Sequence, residues 1–287
     1  MESLITPYLI FLFLAGIACL IKEVRDLGTY RQPPLLAWNI TFIKFLELLA
    51  LAIALYFMSS LIAAEATKDW ANNPALDPWR VTAIGYAAHG SILLLMALLF
   101  YRPLREWNEI KLVETPLTLI VNQLPFHQAL LRAVIMFLAA FPIIGLASTG
   151  WEQVLILLNE HGFNFSLERQ AQVDLFTSSE TSFATLSLIA LAVIVAPISE
   201  ELLFRGFIYR YLKGRMPMVV AMVVSAGIFS LIHFNWLAAA PLFLLGMILC
   251  WAYEKNANIL VPICLHAVFN ANTIMIIFLA PDLDAIS

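Results

Sequence analysis

A few side chains able to do chemistry stand inside long apolar runs of this chain. Glu200, Glu201 and Arg205 lie in P-I-S-E-E-L-L-F-R-G-F, His233 in F-S-L-I-H-F, and His266 and Asn270 in L-H-A-V-F-N. An ionisable group set in hydrocarbon is costly, so each marks a functional site and calls for a partner. Helical spacing supplies partners. Glu201 and Arg205 are i,i+4 neighbours that can pair on one face, and His266 and Asn270 stand side by side in the same way. Glu200 is turned about 100° from Glu201 and is free to face something else. A carboxylate, two imidazoles and an amide brought together form a credible reaction centre: they can take up a proton and donate hydrogen bonds to developing negative charge.

Depth decides whether they can meet. With the turn Lys213–Gly214–Arg215 at one membrane face, a rise of about 1.5 Å per residue puts Glu200 about 20 Å inside. The same rise puts His233 about 24 Å beyond Pro217, and His266 and Asn270 about 12 and 18 Å beyond Asn258. In a hydrocarbon layer about 30 Å thick, all four fall in the central zone.

The elements that must hold them follow from composition. Apolar residues make up 62% of the 287 residues and charged ones 13%, against about 45–50% apolar in soluble domains. The expected fold class is all-α, a polytopic membrane helical bundle of about eight transmembrane helices. The runs fall near 4–21, 40–64, 81–101, 130–149, 182–212, 217–236, 238–253 and 258–280. The fifth exceeds what a bilayer needs, and Pro197 predicts a kink beside the two glutamates. No internal repeat or separate soluble domain is visible, so residues 1–287 read as one membrane domain. Residues 1–20 lack a basic leader and a clean cleavage site, and read as a retained first helix.

Of the 16 Lys and Arg, only Lys68, Arg80 and Arg169 fall toward one side of this arrangement. The positive-inside rule then puts both termini outside and the Lys213 turn in the cytoplasm. Trp38, Trp79, Trp107, Trp151, Trp236 and Trp251 fall near expected span ends, as an interfacial belt does. Residues 102–128 and 151–181 look interfacial, the second opening on a short helix with Trp151, Val154, Leu155 and Leu158 on one face. Lys44 and Glu47 read as a local pair, and His89 as a histidine bonded to a neighbouring helix. His127 and His161 are given no role. Cys19, Cys250 and Cys264 sit in apolar runs and suggest neither a disulfide framework nor zinc. The net charge of −4 is small and points to no nucleic-acid partner.

The ordered set E-E-x-x-x-R, F-x-x-x-H and H-x-x-x-N resembles the CPBP (Abi) family of CaaX-type prenyl-protein endopeptidases and bacteriocin-processing enzymes. Glu200, Glu201 and Arg205 match the first motif, Phe229 and His233 the second, His266 and Asn270 the third. The resemblance covers roughly residues 180–280, a catalytic core within the larger domain. It implies an intramembrane endopeptidase in which Glu200 and His233 activate water, His266 and Asn270 hold the oxyanion, and Glu201–Arg205 is mainly structural. The implied partners are a peptide or protein substrate, lipidated or not, and membrane lipid; the implied place is a bacterial inner membrane.

Other intramembrane protease chemistries find no residues. There is no H-E-x-x-H and no G-x-S-x-G, and Asp174, Asp282 and Asp284 lie in loops or the tail. Zinc held by Glu200, His233 and His266 is the alternative to a metal-free site. Metal-free water activation is favoured because it uses every group once, so no cofactor is expected. Two other classes stay open: a transporter or channel using the same polar groups, and a non-catalytic membrane scaffold or immunity protein.

Overall fold

The computed structural model describes residues 2–26, 35, 37–71, 73, 76–101, 122–167 and 183–279. Among these the chain is helical, with no β-strand. The helices are α1 (Glu2–Asp26), α2 (Phe42–Ala66), α3 (Asp77–Tyr101), α4 (Phe126–Glu160), α5 (Phe183–Lys213), α6 (Met218–Leu231), α7 (Ala239–Asn256) and α8 (Leu260–Leu279). Six of them, α1 to α5 and α8, are long and apolar enough to cross a membrane. The remaining two expected spans are the shorter α6 and α7. The polytopic helical bundle stands.

Two of the apolar cores bear most on the site. Trp38, Phe45, Met96, Phe207 and Phe229 join α2, α3, α5 and α6. Ala129, Ala133, Leu245, Leu249 and Leu265 join α4, α7 and α8. Small residues let helices come close where the site needs it. A Cβ on Gly246 would lie 2.9 Å from Ala226 Cα, so α6 and α7 touch there backbone to side. We expect Gly246→Ala to force the two apart and cost about 1–3 kcal/mol, as overpacking does. Thermal unfolding in detergent measures it, and an unchanged midpoint would contradict the packing described.

Several expectations are corrected. The second motif helix ends at Leu231, not near 236, and His233 sits in the turn that follows, with Phe234 left-handed at φ 48°. The short helix expected from Trp151 is the continuation of α4, which runs unbroken for 35 residues past Pro142 and Gly150. Trp38 is no belt residue: it is buried against Phe207, ring centroids 5.2 Å apart. Residues 102–121 and 168–181 lie outside the described residues, as does Trp107. Lys44 and Glu47 pair at 2.9 Å as expected, and the three cysteines are free.

The Pro197 region is not a simple kink. Leu191–Val195 is wound as a π-helix, with the Ala196 N–H donating to Leu191 O, five residues back. In that register the next donor, residue 197, would serve Ala192 O, but proline has no N–H. Asn270 Nδ2 donates to Ala192 O instead, at 2.8 Å. A second π stretch, Leu202–Tyr209, begins directly after Glu201. Wide turns of this kind concentrate at functional sites because they re-aim side chains.

Candidate active site

The two adjacent glutamates of α5 diverge, as their angular separation requires. Glu201 and Arg205 are wholly buried, and Arg205 Nη1 donates to Glu201 Oε1 at 2.8 Å. Arg205 Nη2 also donates to Gly246 O at 3.2 Å, and its guanidinium lies 4.6 Å from the Phe229 ring centre. The cation is therefore held by a carboxylate, a carbonyl and an aromatic face, the combination that makes a buried charge tolerable.

Glu201 is more than half of the expected ion pair. His266 Nδ1 lies 2.9 Å from the same Glu201 Oε1. Glu201 thus ties α5 to α8 and fixes the ring that faces Glu200. Glu200 Oε2 lies 3.9 Å from His266 Nε2, with a side chain 18% exposed, and is buried at that atom without a hydrogen bond. Glu201 Oε2 is buried without a partner too, but only Glu200 is also part-exposed, and an unpaired acceptor is expensive to keep.

His233 reaches the same centre from its turn. Its Nδ1 is 2.7 Å from Phe229 O. A carbonyl only accepts, so Nδ1 carries the hydrogen and the neutral ring has its lone pair on Nε2. The Phe229 ring touches both imidazoles edge-on, with centroids 4.9 Å from His233 and 5.7 Å from His266. Phe229, the second motif's aromatic residue, is the floor between them. Asn270 stands lower on α8: one N–H of its amide serves Ala192 O, and the other N–H and Oδ1 are not used by that bond.

Two residues join the site that the sequence gave other readings or none. His89 of α3 is bonded to a neighbouring helix as expected, its Nδ1 lying 2.7 Å from Ser199 Oγ. Through Ser199 it is bonded to the residue next to Glu200. Tyr56 of α2 meets the His89 ring edge-on at 5.8 Å. The signal for His89 was a histidine within an apolar span; nothing local marks Tyr56.

Glu200, His233 and His266 are the donor set a zinc ion would need. Among the described residues, however, no three His, Cys, Asp or Glu side chains converge to hold a metal ion. His266 and His233 each engage Nδ1 with a protein partner, which leaves both Nε2 atoms available as metal ligands.

Residues 182–272 match the family described as type II CAAX prenyl endopeptidase Rce1-like. The UPF0177 protein YxdF of Lactococcus lactis subsp. lactis (strain IL1403) is 34% identical over 79 residues, 27% of this chain and 42% of that protein. The chain thus spans less than half the length of the curated relative it matches. No solved structure matches. Over residues 182–272, the stretch that holds Glu200, Glu201, Arg205, Phe229, His233, His266 and Asn270, the chain resembles the Rce1-like CPBP endopeptidases.

Proposed function

We propose that this chain is an intramembrane endopeptidase that hydrolyses a peptide bond of a membrane-associated substrate with water activated by Glu200 and His233. The observation that carries the reading is the buried, unpaired Oε2 of Glu200 beside His266 Nε2. Glu200 takes a proton from water, and the Nε2 lone pair of His233 orients the water's second hydrogen. The oxygen attacks the scissile carbonyl. Glu200 then returns its proton to the leaving amine, so the overall change is water plus amide to acid plus amine. His266 donates to the oxyanion from Nε2 when protonated, with Glu201 on Nδ1 stabilising that imidazolium. The remaining N–H of Asn270 is the second donor. This reading is metal-free because it uses every group of the cluster once.

The test is hydrolysis of a quenched peptide ending in farnesyl-Cys-Val-Ile-Met, and of its unprenylated twin, by purified protein in bicelles. We expect one cleavage with one oxygen incorporated from labelled water, surviving prolonged chelation. Cleavage of neither peptide, nor of any added membrane protein, would overturn the peptidase reading. Loss on chelation with recovery on zinc return would overturn the metal-free part.

The charge asymmetry supports both termini outside a bacterial inner membrane and the Lys213 turn inside. Single-cysteine labelling in spheroplasts should reach residues 2 and 279 but not Lys213. Labelling of the Lys213 position from outside would reverse the orientation.

A further inference from the structure

The turn that carries His233 holds a strained residue. Phe234, directly after it, has φ 48°, a left-handed backbone that a bulky residue rarely takes. Its own ring does not hold it there, since the residue is 89% exposed. Such strain persists only where the surroundings over-determine it, and it gathers at functional sites. The turn is closed from within by its own hydrogen bonds. Ser230 Oγ donates to Ala239 O at 2.6 Å, the Ala239 N–H to Trp236 O at 3.2 Å, and the Ala238 N–H to Asn235 Oδ1 at 2.8 Å. A further hold comes from α4, outside residues 182–272 that carry the family resemblance. Trp151 Nε1–H donates to Trp236 O at 2.7 Å, the same carbonyl that receives Ala239. After α4 the chain turns back at Gly162, whose φ of 95° suits glycine. Asn159 then holds Phe165 by both backbone groups: its Oδ1 accepts from the N–H at 2.8 Å and its Nδ2 donates to the carbonyl at 2.9 Å. The Phe165 ring meets Trp236 edge-on, centroids 5.3 Å apart. Trp236 is gripped from this side by its carbonyl and by its ring.

We propose that Trp151 is a positioning residue for His233, bracing through Trp236 O the turn that presents the imidazole. This rests on the endopeptidase reading, in which His233 Nε2 orients the water. The ring is tied through Nδ1 to Phe229 O on α6, at 2.7 Å. Ring rotation therefore cannot absorb a shift of the turn, and any shift is passed to Nε2. Small errors in the placement of a reacting group are costly, with about 1 Å worth up to about 10² in rate. Trp151 acts on the reaction only by limiting that error. The left-handed Phe234 is what the brace holds in place: released, the turn relaxes toward a less strained backbone and carries His233 with it.

Trp151→Phe keeps an aromatic ring on α4 but removes the N–H. With the farnesyl peptide it should lower kcat about three- to tenfold, the worth of one hydrogen bond, with KM within about twofold of wild type. A change at the strained position separates a brace from a membrane anchor. Asparagine takes the left-handed conformation more readily than phenylalanine, so in Phe234→Asn the turn needs less holding. In that background the loss caused by Trp151→Phe should shrink to about twofold or less. An indole that only anchors α4 at the membrane interface gives full kcat in Trp151→Phe, or the same fractional loss in both backgrounds. Either result would overturn the proposal. Hydrogen exchange in micelles, followed by mass spectrometry, needs no substrate. Trp151→Phe should speed exchange of the Phe234, Ala238 and Ala239 amides by the same margin of about three- to tenfold, and leave Ala196–Glu201 unchanged. Adding Phe234→Asn should slow it again. Unchanged exchange across the turn in Trp151→Phe would sink the brace. If exchange responds as expected while wild type cleaves no peptide, the endopeptidase reading fails and the brace stands.

Discussion

Glu200→Gln should reduce turnover by about 10²–10⁴-fold while the thermal midpoint stays within error of wild type, the range general bases supply. The two halves of this expectation have separate causes. The amide has nearly the shape of the carboxylate but cannot accept a proton. Glu200 Oε2 makes no hydrogen bond in the folded protein, so the exchange breaks none there. Single-turnover cleavage of the farnesyl peptide, with unfolding followed in the same detergent, checks both. Retained turnover would remove Glu200 from the chemistry.

Glu201→Gln should do the reverse. Its Oε1 receives Arg205 Nη1 and His266 Nδ1, and both Glu201 and Arg205 are inaccessible to solvent. Taking away the charge leaves a guanidinium uncompensated in an apolar bundle, a loss of about 3–5 kcal/mol. The double variant Glu201→Gln/Arg205→Met should recover part of it, because the stranded cation goes too. Activity should fall as well, since His266 loses the partner that orients it. If Glu201→Gln folds like wild type while Glu200→Gln unfolds, the carboxylates have been assigned the wrong way round.

The spans were legible because hydrocarbon-length apolar runs leave few other structures. The i,i+4 pair was legible because it is local. What escaped were features set by distant partners or by backbone winding. F-S-L-I-H-F-N-W is apolar enough to extend α6, yet the helix stops. Asn235 Oδ1 then accepts from the Ala238 N–H, a side-chain turn that competes with helix. Trp151 gave no sign of its partner: its indole donates to Trp236 O at 2.7 Å, 85 residues on, and α4 passes through it. The bond from His266 to Glu201 joins residues 65 apart, and no spacing rule reaches that far. His89 was read correctly as bonded to another helix, but the identity of its partner, Ser199, came only from the fold.

The π stretch at Leu191–Val195 bears on how α5 presents its faces. Such a stretch is equivalent to one residue inserted into an α-helix, so it sets the helical phase back by about 100°. The stripe of Phe183–Ala190 and the stripe that begins at Ala196 belong to two different phases of one rod. That offset equals the angle between neighbouring side chains. Glu200 therefore looks in the direction that residue 199 would take on an unbroken α-helix, and Glu201 looks where residue 200 would. The adjacency of the two glutamates and the extra residue upstream are one device: together they decide which carboxylate is sealed beside Arg205 and which is left open to the reaction.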